Sequence, residues 1–376
     1  MLDSISLLTL QTYWWLIVSL LGALFVFMTF VQGGQTLLYT LGKTDDERTL
    51  IINSLGRKWE LTFSTLVMFG GALFAAFPLF YAVSFGGAYY VWMAILFCFI
   101  IQAVSYEYRK KPDNVFGERF YEKLLFINGS LGVFLLGVAL ATLYTGGNFV
   151  VNEMHLSHWT KASYGLEALL NPFNVSFGVM LIFLSRIQAS LYFYNNLDNE
   201  AIAKRIMRTL KNNTLIFLPF FLFVFGFILF QQGYSYNPET KMVFIEPMKF
   251  LHTLLDYPLL LIVLLLGIGT LLYSIYSVLY RQNHKAIWFS GTGTVLTVTV
   301  LLFILGFNHT AYYPSLVDLQ SSLTIENSSG SHYTLSVMSI VSLLVPVVLG
   351  YIFLVWRSMD KNKMTIKEVK SDSHHY

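Results

Sequence analysis

Ionisable and hydrogen-bonding side chains at or inside long apolar stretches are the residues of this 376-residue chain whose types and positions could do chemistry. Such groups are costly in lipid and tend to mark ion or proton routes. Glu60 follows Trp59 at the start of the second stretch, Glu107 closes the third, Gln32 closes the first, and Arg186 lies deep in the fifth. Glu60 falls in the first turn of a helix, where the macrodipole favours a negative charge; it can act as a helix-end carboxylate or as a protonatable step. Glu107 sits at a helix C-terminus, where the dipole disfavours it, with Arg109, Lys110 and Lys111 following as compensating cations. Gln32 can pass on a hydrogen bond but cannot hold an excess proton. Glu60, Glu107 and Gln32 form a candidate proton-delivery set, with no redox chemistry of their own.

Metal and haem chemistry finds less support. Of eight histidines, His155, His158, His252, His309 and His332 fall in or beside polar loops, His284 in a short connection, and His374 and His375 near the C-terminus. Haem ligation in a membrane protein calls for histidine at membrane depth, and this chain has none there, so it is expected to bind no haem or metal itself. His155 and His158 lack further ligands and read as loop surface. The 12 Met residues read as core filler, and the single cysteine, Cys98, as a small packing residue.

These residues are positioned by nine apolar stretches. With 55% hydrophobic and only 12% charged residues and a mean hydropathy of +0.59, the chain is far from the composition of a soluble domain. The stretches fall near 11–32, 60–83, 88–106, 123–145, 173–194, 213–231, 257–280, 286–307 and 334–356. Each is long enough for a helix to cross the ~30 Å hydrocarbon layer. Continuous runs of this kind are helical rather than barrel strands, so the fold class is an all-α, polytopic membrane bundle of nine transmembrane helices. The first span is too long for a signal-peptide core, and no cleavable targeting segment is expected.

Basic residues set the orientation. Alternate connections carry Lys43, Arg48, Arg57 and Lys58, then Arg109, Lys110, Lys111, Arg119 and Lys123, then Lys204, Arg205, Arg208 and Lys211, then Arg281 and Lys285. Arg357, Lys361, Lys363, Lys367 and Lys370 follow the last span. The opposite side has Lys161, Lys241 and Lys249. The positive-inside rule then puts the N-terminus outside and the C-terminus in the cytoplasm. A net charge of +3 is the basic rim of a membrane protein facing anionic lipid headgroups, and no nucleic-acid partner is expected.

Between the first two spans, Thr44 and Glu47 fit a capping box and Gly56 a helix stop. Leu50, Ile51 and Leu55 share a face, which predicts a short amphipathic helix lying on the cytoplasmic surface. The Gly71/Ala75 and Ala72/Ala76 pairs suit close helix packing and predict a second span packed on several sides, with Pro78 kinking its outer end. The loops 146–172, 232–256 and 308–333 read as water-facing lids, with Trp159 anchored at the interface.

Several strings resemble subunit II of cytochrome bd quinol oxidases. They are GGALFAAFP at 70–78, Arg48 with Ile51-Ile52-Asn53-Ser54, Leu169-Leu170-Asn171-Pro172-Phe173, Ser322-Leu323-Thr324, Tyr333-Thr334-Leu335-Ser336-Val337-Met338, and Pro346. Their order and spacing agree with the family from Trp14-Trp15 to about Trp356. The resemblance implies a multi-pass bacterial cytoplasmic-membrane protein with one leading helix (11–32), two pseudo-symmetric four-helix bundles (60–194 and 213–356) within a single membrane domain 1–356, and a basic cytoplasmic tail 357–376. It implies a partner subunit I carrying haems b and d and oxidising quinol from the quinone pool to reduce O₂, and leaves open a small accessory subunit. An acidic residue follows the tryptophan in relatives, as Glu60 follows Trp59. Two departures stand out: Val31-Gln32-Gly33-Gly34 replaces a Gly-Phe-Asp-like string, and Leu61-Thr62-Phe63 replaces a more polar stretch. Arg186 matches no family motif; an ion pair within this chain or with the partner is expected for it.

A secondary transporter is the alternative from another class, but matched pairs of interrupted half-helices are not seen. A purely structural assembly subunit without a proton role is the other.

Overall fold

A computed structural model describes residues 4–371. Nine helices among these residues are long and apolar enough to cross a membrane: Leu7–Thr36, Asp45–Ala76, Tyr89–Tyr108, Glu118–Thr145, Pro172–Asn196, Glu200–Phe230, Pro258–Arg281, Ala286–Gly306 and His332–Met359. They are numbered spans 1 to 9. Hydropathy locates all nine, but their ends run beyond the apolar runs. Span 6 starts at Glu200, capped by the Asn199 side chain accepting from the Ile202 amide, so its basic first turns extend past the apolar part. Span 2 contains a separate helix, Asp45–Gly56, before its apolar part Trp59–Ala76.

Span 1 is the post around which the rest is arranged. It packs on spans 2, 5, 8 and 9, and 78% of its most apolar window is buried, against 6% for span 9. Two glycines make the closest crossings. A Cβ on Gly33 would lie 2.2 Å from the Ser185 carbonyl of span 5, and one on Gly129 of span 4 would lie 2.3 Å from the Gln32 carbonyl. Span 1 is therefore held between spans 4 and 5 at backbone contact, which only glycine permits.

Four expectations are corrected here. The Asp45–Gly56 helix forms with its capping box complete, but Leu50, Ile51, Ile52, Ser54 and Leu55 are each at most 1% exposed. Protein covers the helix from Glu47 to Gly56 and leaves only its first residues, Asp45 and Asp46, exposed, so it does not lie on the lipid surface. Span 2 is largely open rather than packed on several sides: Gly71 is exposed with nothing near its Cα face, and Ala76 alone of the four small residues is buried. Pro78 ends the helix instead of kinking it, because the chain breaks at Phe77 and resumes as a short turn. Trp159 is buried and donates from Nε1 to the Val83 carbonyl at 2.9 Å, so it plugs the protein rather than anchoring to lipid.

The three long loops sit at one end, each built on a hairpin or strand pair: 149–151 with 157–159, 232–236 with 243–247, and 311–313 with 323–324. Backbone bonds Gly147 N to Pro314 O and Tyr236 N to His309 O tie them into one cap. The basic residues gather at the opposite end. There the segment after span 9 folds back: Met364 exchanges backbone bonds with Asn196 and Asp198, and the helix Ile366–Ser371 packs on the 45–56 helix. Lys370, His374 and His375 fall where side chains lie outside the described residues.

Candidate functional site

Near the basic end, polar side chains from three spans meet in the interior. Span 1 contributes Gln32 and Gln35, one helical turn apart, span 3 contributes Gln102 and Tyr106, also one turn apart, and span 4 contributes Asn128. The Gly129 crossing brings Asn128 against span 1, and the π-helical turn Asn128–Gly132 is the kind of local widening that recurs at functional sites. Gln32 Nε2 donates to Gln102 Oε1 at 3.1 Å, and Asn128 Nδ2 donates to the same oxygen at 2.8 Å and to Gln35 Oε1 at 2.9 Å. Gln35 Nε2 donates to the Tyr106 hydroxyl at 3.2 Å. All five residues are at most 1% exposed. Gln32 Oε1, Gln102 Nε2 and Asn128 Oδ1 have no protein partner, and an unmet buried amide atom is expensive, so these three atoms are suited to bonding a small polar species such as water.

One layer nearer the basic end lies a buried ion cluster. Glu122, at the foot of span 4, accepts from Arg109 Nη2 at 2.8 Å and Nε at 3.2 Å through Oε1 and from the Tyr39 hydroxyl at 2.8 Å through Oε2. Arg48 Nε stands 3.4 Å from the same Oε2 and is tied to Asp45. Arg109 also reaches Thr49 and Glu118. Burial, with the bond to Glu122 and its charge adding to it, pushes the Tyr39 hydroxyl up to about 12; Tyr39 therefore keeps its proton and its donor role. Each buried charge here faces an opposite one, as buried charge requires, although Arg48 Nε makes no hydrogen bond among the described residues.

The structure separates the three sequence candidates. Gln32 lies in the buried amide chain. Glu60 and Glu107 are exposed, at the same end of spans 2 and 3, next in sequence to Trp59 and Tyr106, whose rings stack at 5.5 Å. Two of the three cations expected to compensate Glu107 are engaged elsewhere: Arg109 with Glu122 and Glu118, Lys110 with Glu118. Lys111 remains beside it in sequence, and among the described residues Glu107 forms no ion pair at its helix C-terminus. Glu60 ends an exposed stripe along span 2, Phe63, Val67, Gly71 and Phe74, and Glu107 ends one along span 3, Met93, Leu96, Ile100 and Val104. Between the stripes runs an apolar groove of about 500 Å³ lined by Phe63, Gly70, Gly71, Phe85, Met93 and Phe99, among others.

Sequence reasoning missed Gln35, Gln102, Asn128, Tyr106 and Glu122. The signal available was an amide residue inside each of three apolar spans; nothing in the sequence said that they meet. Among the described residues no three His, Cys, Asp or Glu side chains converge as a metal site. His155 and His158 are exposed on the 149–159 hairpin, His284 stacks on Tyr194, and His332 contacts the Ile5 carbonyl. Among the described residues no histidine lies in the middle of a span, the depth an axial haem ligand would take.

The family profile described as cytochrome bd terminal oxidase subunit II matches residues 10–359. The chain is 27% identical over 97% of its length to the cytochrome bd-I ubiquinol oxidase subunit 2 of Escherichia coli K12, covering 98% of that protein. It is 26% identical over 91% of its length to the cytochrome bd ubiquinol oxidase subunit 2 of Bacillus subtilis, covering 93% of it. A chain in the structure of the bd oxidase from Geobacillus thermodenitrificans has the same fold, with a TM-score of 0.61 at 12% identity, covering 94% of this chain and 99% of that one.

Proposed function

The chain belongs to the cytochrome bd terminal oxidase subunit II family, and from that premise we propose that it completes a quinol:O₂ oxidoreductase of the cytoplasmic membrane by supporting a haem-bearing subunit I and delivering protons to it. It carries no haem in this reading; haems b and d, the quinol reaction and O₂ reduction belong to the partner. Its N-terminus and loop cap face outward and its basic end faces the cytoplasm. The leading helix and the 60–194 and 213–356 bundles form one membrane domain.

The observation that carries the proton reading is the exposure of Glu60 and Glu107 at the basic end of an open apolar face, each next in sequence to one of the stacked rings of Trp59 and Tyr106. Exposed apolar surface on this scale along spans 2 and 3 suits burial against another membrane polypeptide, and its small residues Gly70 and Gly71 permit close helix approach. A carboxylate at the rim of that contact can take a proton from the cytoplasm and pass it across the interface. Behind it, Tyr106 joins the amide chain ending at Gln32, which can orient water but stores no charge. Protons drawn from one side for O₂ reduction make the reaction electrogenic.

The test uses the complex expressed with its partner. Glu60→Gln and Glu107→Gln keep shape and hydrogen bonding but remove the exchangeable proton, so each is expected to slow quinol-driven O₂ consumption by about 10²-fold or less, the range of general acid–base steps. Haem content should stay unchanged, and Glu60→Asp should retain much of the activity. Wild-type turnover in both Gln variants would leave the purely structural reading standing.

A further inference from the structure

Arg186 carries an interaction that this chain does not complete. Span 5 has 25 residues from Pro172 to Asn196, about 37 Å at 1.5 Å per residue, and Arg186 lies close to its middle. Helical side chains lean toward the N-terminus of their helix. The guanidinium carbon of Arg186 accordingly lies 5.6 Å from the centre of the Phe183 ring, one turn further from the basic end. The residue is half-buried, and its Nε is enclosed without a hydrogen-bond partner. Its side chain forms no ion pair or hydrogen bond among the described residues. The buried acidic groups at the basic end are engaged by other cations: Glu122 by Arg109, Glu47 by Arg205, and Asp360 by Lys58.

A cation at this depth needs an acceptor. Lipid phosphates are an unsuitable one, because the ~30 Å hydrocarbon layer puts them about 15 Å from the midplane. Snorkelling would require the side chain to reach toward the nearer headgroups, whereas the stacking on Phe183 holds it toward the middle. The backbone at Ser185 and Arg186 is already pressed on Gly33, so span 1 leaves no space for a rearranged internal partner on that side. We propose that Arg186 is an intersubunit anchor that receives an Asp or Glu carboxylate carried at mid-bilayer depth by another polypeptide of the oxidase complex. The planar guanidinium offers two parallel donors to such a carboxylate. This rests on the reading of the chain as one subunit of a complex.

The experiment purifies the full complex through a tag on the partner and follows loss of this chain along a series of increasing detergent stringency. Arg186→Leu and Arg186→Gln should release the chain at least 10-fold faster than wild type, and Arg186→Lys should be intermediate. Arg186→Glu should be released as readily as Leu and rescued when one mid-span acidic residue of a co-purifying polypeptide is changed to Arg. Retention of the Leu and Gln variants at the wild-type rate would overturn the proposal. So would native mass spectrometry showing that Arg186→Leu loses a bound anionic lipid while keeping every polypeptide, or a scan of the partners' mid-span acids in which none rescues Arg186→Glu. If the wild-type chain itself co-purifies with no other polypeptide, the subunit reading fails first, and that result is distinct from a failure of Arg186 alone.

Discussion

Replacing Glu122 by Gln should be among the most damaging isosteric changes in this chain. The carboxylate is 1% exposed and faces two guanidinium groups, Arg109 at 1% and Arg48 at 7% exposure, with donor contacts at 2.8, 2.8 and 3.2 Å. Neutralising it leaves Arg109 facing the carboxylate of Glu118, itself two-fifths exposed, and Arg48 facing Asp45 at the surface. Breaking one partner of a buried pair costs about 3–5 kcal/mol. A neutral amide still accepts one bond, so the lower end, about 3 kcal/mol, is the expectation. The assay is thermal unfolding of the purified complex in detergent, followed by tryptophan fluorescence and by retention of haem. Glu122→Gln should melt several degrees lower, and the deficit should persist at high salt because the pair is shielded from counterions. Adding Arg109→Met should recover part of the loss, since removing both members of a buried pair is often near neutral. A single variant that melts with wild type, or a double variant whose cost is the sum of the two singles, would refute the reasoning.

Gly129→Val should block assembly of span 4 on span 1, because its Cβ meets the Gln32 carbonyl at 2.3 Å; purified yield should collapse, and a normal yield would show that the helices can part. At the loop cap, Glu326 is shifted down from 4.5: burial acts upward, but the bonds from Lys241 and Tyr236 outweigh it. A depressed carboxylate contributes stability above its unfolded value that is lost as pH falls through the folded one, so the hydrogen-exchange protection of residues 232–247, relative to intrinsic exchange at each pH, should fall below about pH 4.5, while in Glu326→Gln that protection should be nearly independent of pH there. A reporter active only in the cytoplasm should work when fused after Tyr376 and fail within 308–333; the reverse pattern would overturn the orientation.

Much of the fold is legible in the sequence because hydropathy reports directly on the solvent each helix meets, which is why all nine spans stand out. What covers a helix is less legible. The Thr44–Glu47 capping box announces the 45–56 helix correctly, yet the same apolar face serves a helix on lipid or one inside protein, and contacts with span 1, span 5 and the fold-back helix Ile366–Ser371 decide between them. The small residues of span 2 likewise signal close approach without naming the partner, and within this chain Gly71 meets nothing. At the site, Gln32 stands out by itself, whereas Gln102 and Asn128 gain meaning only from bonds to residues 70 and 26 positions away. Glu122 looks like one more charge in a basic connection until Arg109 turns inward.

The ion pair between Lys58 and Asp360, at 3.0 Å with both side chains buried, joins residues 302 positions apart. During synthesis at about 5–20 residues per second, Lys58 waits roughly 15–60 seconds for its counter-charge. Over that interval the Asp45–Gly56 helix also lacks the segment that covers it, so an ammonium and an apolar face are presented together at the basic end of a half-inserted chain. The nascent protein is thus most vulnerable to membrane proteases and most in need of an insertion chaperone after its early spans are in place and before its last one arrives, and a chain cut short ahead of Asp360 should be cleared rather than accumulate.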